Sequence, residues 1–253
     1  MINEEKTPHI ITGTGKKNIV FVHYFGGDAR SWQWMAAHLK EDCTCYLLNL
    51  PGFGNTDPLE KKSIEGFAAY INQYITDLKL DHYVLCGHSM GAKIVAYAAA
   101  NAPKKPEQLI LIAPSPPTVE KMPPDEKKRM LKHPDHDEAV TTVKNATVQQ
   151  LDHGRFQHAV DSQLAIDDET WDWWLEKGMD HDVSAHIKTG HVRTTIICSQ
   201  DDPVISMQWI EEEVKPYFKN PTVITWKNLG HLIPMEAPEK LAKTLQKLLK
   251  TDQ

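Results

Sequence analysis

Short apolar segments alternate with amphipathic segments along most of the chain. The apolar segments are bounded by polar or turn-forming residues, and they predict strands at 18–23, 43–48, 83–86, 108–113, 194–199 and 222–226. Segments with apolar residues at helical spacing predict helices at 29–40, 63–78, 90–101, 206–218 and 236–249. Repeated alternation of this kind is typical of an α/β fold, with a mostly parallel central sheet and helices on both faces.

The alternation stops after Ala113, where the chain becomes rich in proline and shows no strand pattern until about Thr189. We therefore predict an α/β core made of residues 1–114 and 190–253, with a helical insertion at 115–189. Because ligands bind at the carboxyl edge of open α/β sheets, we expect the insertion to cap that edge. Its histidines are expected at the surface: His133, His136, His153 and His158.

Composition and charge exclude several classes of partner. The net charge is −6 and no basic stripe is present, which argues against a nucleic-acid partner. No apolar run has the length of a membrane span, and the N-terminal residues 1–6 have no signal-peptide apolar core, so we expect a cytoplasmic protein that does not bind membranes. At 253 residues the chain is long enough for one large core, and we expect a monomer or a homodimer.

The four cysteines all fall in predicted strands, where buried, reduced thiols are expected. Cys43 and Cys45 lie on one face of the same strand, a spacing that suits neither a zinc site nor a disulfide between them. No convincing set of metal ligands is found among the histidines. We therefore predict no metal site.

The segment Gly87-His88-Ser89-Met90-Gly91 lies between a predicted strand and a predicted helix, which makes its G-x-S-x-G pattern informative. A chain that turns directly from strand to helix strains the corner residue, Ser89, and its neighbours two positions away must lack a Cβ. The amide of Met90 lies in the first helical turn, where backbone donors are unpaired. This segment therefore predicts a serine nucleophile beside an oxyanion site.

A serine nucleophile needs a base, and the base needs a group that orients it. Two later loops follow predicted strands, and they offer Asp202 and His231 for these roles. Asp201 is the competing acid, which we interpret as a loop-capping or solvated carboxylate. His23 and His88 are interpreted as hydrogen-bonded structural residues.

With these residues in place, the chain resembles the α/β-hydrolase superfamily, in its group of capped esterases, perhydrolases and C–C hydrolases. The motifs that carry the resemblance are Val22-His23-Tyr24-Phe25-Gly26-Gly27, Leu50-Pro51-Gly52-Phe53-Gly54, Gly87-His88-Ser89-Met90-Gly91, Asp201-Asp202-Pro203-Val204 and Gly230-His231. The resemblance implies that the amide of Phe25 is the second oxyanion donor and that no cofactor is required. Tyr24 stands where glycine is usual in the family. Its phenol either lies near the acyl pocket or packs outward.

The resemblance implies hydrolysis of a small-molecule ester by Ser89, Asp202 and His231. The same residues suit a C–C hydrolase, a thioesterase or an amidase, and peroxide in place of water would give perhydrolysis. A ligand receptor on the same scaffold is an alternative from another class. Helical spacing places Trp171 and Trp174 on one face, where they either pack the insertion onto the core or line a pocket. Val204 and Leu232, beside the acid and the base, are further candidate pocket residues.

Overall fold

The computed structural model describes residues 8–187 and 192–250. Residues 1–7 and the predicted boundary at 189/190 lie outside the described residues. Seven strands form one sheet in the order β1-β3-β2-β4-β5-β6-β7, with β1 antiparallel to β3 and every other neighbouring pair parallel. The strands are β1 His9–Thr12, β2 Lys17–Val22, β3 Cys43–Leu48, β4 Tyr83–His88, β5 Gln108–Ile112, β6 Arg193–Ser199 and β7 Thr222–Trp226. The predicted α/β class with a mostly parallel sheet is confirmed.

Helices connect the strands and cover the sheet. The α-helices are α1 Gln33–Ala36, α2 Ile64–Asp77, α3 Met90–Asn101, α4 Pro124–Met130, α5 His136–Ala146, α6 His153–Leu164, α7 Asp168–Trp173, α8 Met207–Trp209, α9 Ile233–Glu236 and α10 Pro238–Lys250. The predictions for α2 and α3 agree with the structure to within a residue. None of the helices in the described part of the chain combines the length and apolar character needed to cross a membrane.

Two predicted helices are shorter or less regular than expected. The segment predicted as one helix at 29–40 is a 3₁₀ turn, Ala29–Trp32, followed by the single turn of α1. The segment predicted at 206–218 begins as α8, widens into a π-helical turn at Ile210–Val214 and ends in a 3₁₀ turn. Pro216 in that last turn has no amide hydrogen, so an α-helical hydrogen-bond pattern cannot continue through it.

Each face of the sheet has its own apolar layer. On one face, strand residues such as Leu85 and Leu109 pack with Phe67 of α2 and Ile94 of α3. On the other face, strand residues such as Val84 and Ile110 pack with Trp32, α1 and α10. Because both faces are covered, β4 is buried along its whole length. The central strand that precedes Ser89 is therefore held on all sides.

The segment between β5 and β6 is helical, and no strand occurs in its described part up to Ile187. It contains α4 to α7, and α7 continues into a π-helical turn at Trp174–Gly178. Backbone hydrogen bonds join it to the loops of the core: the amide of Asp167 donates to the carbonyl of Gly52, and the amide of His231 donates to the carbonyl of Ala146. These contacts place the helical segment over the loops that follow the parallel strands.

Candidate active site

The turn between β4 and α3 has strained geometry at Ser89. Its φ of 53° and ψ of −120° lie in a region that residues with a side chain rarely adopt. A Cβ added to Gly87 would lie 2.5 Å from the carbonyl oxygen of Gly91, and one added to Gly91 would lie 2.3 Å from the carbonyl oxygen of His23. Both glycines are thus required for the close approach of β4, α3 and the loop after β2, as the sequence predicts.

Three side chains from three separate loops form one hydrogen-bonded series. The Oγ of Ser89 lies 2.7 Å from Nε2 of His231, and Nδ1 of His231 lies 2.9 Å from Oδ2 of Asp202. A carboxylate only accepts hydrogen bonds, so Nδ1 carries the proton and Nε2 is left to accept from the serine hydroxyl. The three residues are 6%, 4% and 8% exposed, which limits competition from water.

The two candidate acids have different partners. Oδ1 of Asp202 accepts from the amides of Val204 and Ile205 at 2.8 and 3.0 Å, which leaves Oδ2 directed at His231. The carboxylate of Asp201 instead accepts from the amide of Asn228 at 2.7 Å. Asp201 therefore closes the loop that precedes His231, as expected for a loop-capping residue.

The electrostatics favour a protonatable imidazole at His231. Burial lowers its pKa, but the charge and hydrogen bond of Asp202 together with the charges of Glu120 and Glu236 outweigh burial. The pKa of His231 is therefore raised above its usual 6.5.

At His23 burial dominates and lowers the pKa to about 4. His23 bonds the carbonyl of Tyr24 and the amide of Leu50, which agrees with its predicted structural role.

The amides of Phe25 and Met90 are the candidate oxyanion donors. Met90 is the first residue of α3, and within the described residues neither amide donates a hydrogen bond to another group. A residue of the insertion fixes the loop that carries Phe25, because Ser162 Oγ donates to the carbonyl of Gly26 at 2.8 Å. The buried carboxylate of Asp28, three residues after Phe25, lies 3.2 Å from Nε2 of His158.

A cavity of about 390 Å³ opens beside Ser89 and His231, between the core loops and the helical segment. Four of the five predicted pocket residues line it: Tyr24, Val204, Leu232 and Trp174. Trp171 does not line it; its ring stacks on His133 and packs against Phe25 with centroids 4.3 Å apart. Trp171 and Trp174 both contact Phe25, as their predicted common face implies, whereas Trp173 turns to Phe67 of the core.

The ring of Tyr24 faces the cavity and packs against His88, with centroids 5.2 Å apart. Only 6% of the residue is exposed, so the alternative in which it packs outward is wrong. Burial raises the pKa of the phenol, which therefore stays protonated. The departure from glycine in this loop thus adds an aromatic wall to the cavity.

Several features of the site were not expected. His133 and His158 are not surface residues, since their side chains are only 4% and 11% exposed and face Asp168 and Asp28. Glu120, which also lines the cavity, has no recognisable sequence motif. All four cysteines are free and buried, as predicted. Within residues 8–187 and 192–250, no group of three or more His, Cys, Asp or Glu side chains is arranged to hold a metal ion.

Comparison with known proteins gives the fold and the family. An esterase from Exiguobacterium antarcticum superposes with a TM-score of 0.85 at 19% identity, covering 96% of this chain and 94% of the esterase. The chain is 28% identical over 104 residues to a pimeloyl-acyl-carrier-protein methyl ester esterase from Citrobacter koseri, over 41% of this chain and 39% of that protein. It is 30% identical over 111 residues to karrikin insensitive 2 receptor IA from Petunia hybrida, over 42% of this chain and 40% of the receptor.

The curated relatives are each matched over less than half of their own length. The sequence profile of one family, in contrast, extends over nearly the whole chain and includes both the serine turn and the loop of His231. That profile is described as the alpha/beta hydrolase family, and it matches residues 19–244. The protein belongs to the alpha/beta hydrolase family.

Proposed function

We propose that the protein hydrolyses small carboxylic esters through an acyl-enzyme on Ser89. His231 is the general base in this proposal, and Asp202 orients it and stabilises its charged form. The observation that carries the proposal is the continuous series of hydrogen bonds from Ser89 through His231 to Asp202, with its serine end open to the cavity. The esterases among the relatives favour an ester bond over the other bonds that these residues suit.

The proposed reaction begins when Nε2 of His231 accepts the proton of the Ser89 hydroxyl and Oγ attacks the ester carbonyl carbon. The carbonyl oxygen becomes an oxyanion, and the amides of Met90 and Phe25 hold it. One such donor is typically worth about 3 kcal/mol of transition-state stabilisation. The imidazolium then protonates the leaving alcohol as the carbon–oxygen bond breaks, which leaves the acyl group on Ser89.

Water completes the cycle by the same route. His231 takes a proton from the water as its oxygen attacks the acyl carbon, and the second oxyanion forms at the same two amides. Its collapse returns the proton to Ser89 Oγ and releases the carboxylic acid. Asp202 keeps the imidazole in the required tautomer throughout both halves of the reaction.

The proposal is tested by hydrolysis of short p-nitrophenyl esters by wild type, Ser89→Ala and Ser63→Ala. Ser63 caps α2 through a hydrogen bond to the amide of Gly66, so its loss affects stability and leaves the site intact. We expect Ser89→Ala to lose about 10⁴-fold or more in kcat and Ser63→Ala to keep its activity. A fluorophosphonate probe should label wild type once, at Ser89.

Two outcomes contradict the proposal. Retained turnover in Ser89→Ala would mean that Ser89 is not the nucleophile. An inactive wild type that binds an ester without cleaving it supports the receptor alternative, which the similarity to a receptor keeps in view. A parallel panel of thioesters, amides and C–C substrates identifies the bond, and peroxide added to the ester assay tests perhydrolysis.

A further inference from the structure

Glu120 places a carboxyl group in the wall of the cavity that also holds Ser89 and His231. The residue is only 7% exposed, and its Oε2 is buried without a hydrogen bond of full geometry among the described residues, although the Ser115 hydroxyl is near enough to lower the pKa of the carboxyl. Nearly all buried polar atoms in folded proteins have a partner, because an unsatisfied one destabilises the fold. Oε2 is closed to water-sized groups, whereas Oε1 is not among the closed atoms and accepts no hydrogen bond from the described residues. Oε1 is therefore the carboxyl oxygen that a ligand in the cavity can pair.

The segment that carries Glu120 is held rigidly. The amide of Glu120 donates to the carbonyl of Met179 at 2.8 Å, and the hydroxyl of Thr118 donates to the carboxylate of Glu213 at 2.7 Å. The buried ammonium of Lys93, on the helix that follows Ser89, donates to the carbonyl of Thr118 at 3.0 Å. The carboxyl position is thus fixed relative to the nucleophile before any ligand binds, as a specificity contact requires.

The charges around Glu120 favour a neutral ligand group. Burial raises its pKa, the Ser115 hydroxyl and the charges of Lys93 and His231 oppose that effect, and the charge of Asp202 reinforces it. A ligand cation would meet Lys121, which lines the cavity, and a ligand anion would meet Glu120 itself. A hydroxyl group donates to a carboxylate and accepts from a carboxylic acid, so it can pair with Glu120 in either protonation state.

We propose that Glu120 determines specificity by forming a hydrogen bond with a hydroxyl group of the substrate, so that the site prefers hydroxylated esters to alkyl esters of the same shape. The remaining lining is largely apolar and includes Phe25, Met122 and Trp174, so the rest of such a substrate is apolar. The inference rests on the proposed esterase function and adds the substrate class to it.

The test compares kcat/KM for two matched pairs of esters. Methyl β-hydroxybutyrate and methyl isovalerate differ by a hydroxyl in the acyl part, and hydroxyethyl butyrate and propyl butyrate differ by one in the alcohol part. We expect wild type to prefer the hydroxylated member of one pair by about tenfold or more, since a buried polar partner discriminates strongly against an analogue that leaves it unpaired. Glu120→Leu should reduce that preference to near one, because it lowers kcat/KM for the hydroxylated ester more than for its alkyl partner.

Two further variants separate recognition by Glu120 from the effects of packing and of general charge. Glu120→Gln keeps an acceptor of similar size and should keep part of the preference, which separates recognition from a packing defect. Glu126→Leu removes a second carboxylate of the cavity lining, one that already pairs with Arg129, and should leave the preference unchanged. The same preference in wild type and Glu120→Leu overturns the inference, as does an absence of preference in wild type for both pairs.

Failure of the esterase proposal is distinguishable from failure of this inference. If wild type cleaves neither these four esters nor the p-nitrophenyl esters, the proposed function fails, and calorimetric titration of Ser89→Ala with each of the four esters decides the role of Glu120. Tighter binding of a hydroxylated ester that is lost in Ser89→Ala/Glu120→Leu supports the recognition role. Equal binding of both members of each pair overturns it.

Discussion

The imidazole Nε2 of His88 lies 2.8 Å from the backbone carbonyl oxygen of His231 and donates a hydrogen bond to it. His88, which precedes the candidate nucleophile, thus fixes the backbone of the candidate base His231, 143 positions away in the chain. The amide of His231 is also held, since it donates to the carbonyl of Ala146 at 2.7 Å. Burial keeps the pKa of His88 well below its usual value, so its ring stays neutral.

This arrangement predicts a positioning role for His88. His88→Phe keeps a ring of similar shape and removes the donor, so the backbone of His231 is held only on the side of Ala146. A displacement of the base by about 1 Å costs on the order of a hundredfold in rate. We therefore expect kcat to fall about tenfold to a hundredfold in the hydrolysis of p-nitrophenyl butyrate, with KM little changed.

His136→Phe is the matched control, because His136 is exposed at the start of α5. It should leave both kinetic constants unchanged. An unchanged kcat in His88→Phe, in protein with a native circular dichroism spectrum, would show that the bond to His231 has no positioning role.

The raised pKa of His231 predicts the pH dependence of hydrolysis. Only the neutral imidazole can accept the serine proton, so kcat/KM should be low in acid and rise as pH passes the folded-state pKa. Because Asp202, Glu120 and Glu236 together outweigh burial, the midpoint of this rise should lie above 6.5. Initial rates at low substrate concentration, measured from about pH 5 to 9, give the midpoint.

Asp202→Asn tests the cause assigned to this shift. It removes the negative charge, so the midpoint should move to lower pH while the maximum rate falls about 10⁴-fold. Asp201→Asn is the control, since Asp201 bonds the amide of Asn228 and not the imidazole. A midpoint that stays in place in Asp202→Asn would mean that another group sets the pKa.

The glycines around Ser89 give a prediction for stability. The Cβ of Gly91→Ala would overlap the backbone carbonyl of His23, which cannot move without disturbing the sheet. We expect the free energy of unfolding in urea to fall by at least about 1–3 kcal/mol, the usual cost of overpacking. Gly154→Ala is the control, because its Cβ would meet only Asp152 Oδ1, at 3.5 Å. It should be neutral or stabilising by up to about 1 kcal/mol. Equal effects of the two substitutions would contradict the steric argument.

The parts of this structure that follow from local sequence were predictable, and those that depend on distant contacts were not. The strand β4, the glycines around Ser89 and the helix α3 form one continuous segment whose pattern alone dictates the turn. The loop of His231 was identified because it follows a recognisable strand. Both Ser89 and His231 directly follow a strand, and the local sequence pattern is enough to predict each of those strands.

Glu120 and His158 show why other residues were missed. Glu120 lies in an irregular, proline-rich stretch, and its amide bonds the carbonyl of the distant Met179, a contact that no local pattern records. His158 lies on an amphipathic helix with mixed polarity, and only the fold brings it to Asp28. Prolines also divided helices where periodicity continued, as at Pro216 and Pro238.

The position of Trp174 predicts how the cavity selects acyl length. Its ring lines the cavity beside Phe25, whereas the neighbouring ring of Trp173 packs on Phe67 of the core. Trp174→Ala should enlarge the cavity and shift the preferred p-nitrophenyl ester from shorter to longer acyl chains, because added apolar surface then has room to be buried, at about 0.8 kcal/mol per CH₂. Trp173→Ala removes the same ring outside the cavity, so it should lower stability by about 3–5 kcal/mol at most and leave the chain-length profile unchanged. The measurement is kcat/KM across saturated acyl esters from acetate to decanoate. A profile shifted equally by both variants would mean that the tryptophans act through the packing of the insertion, and a profile shifted by neither would remove Trp174 from the acyl pocket.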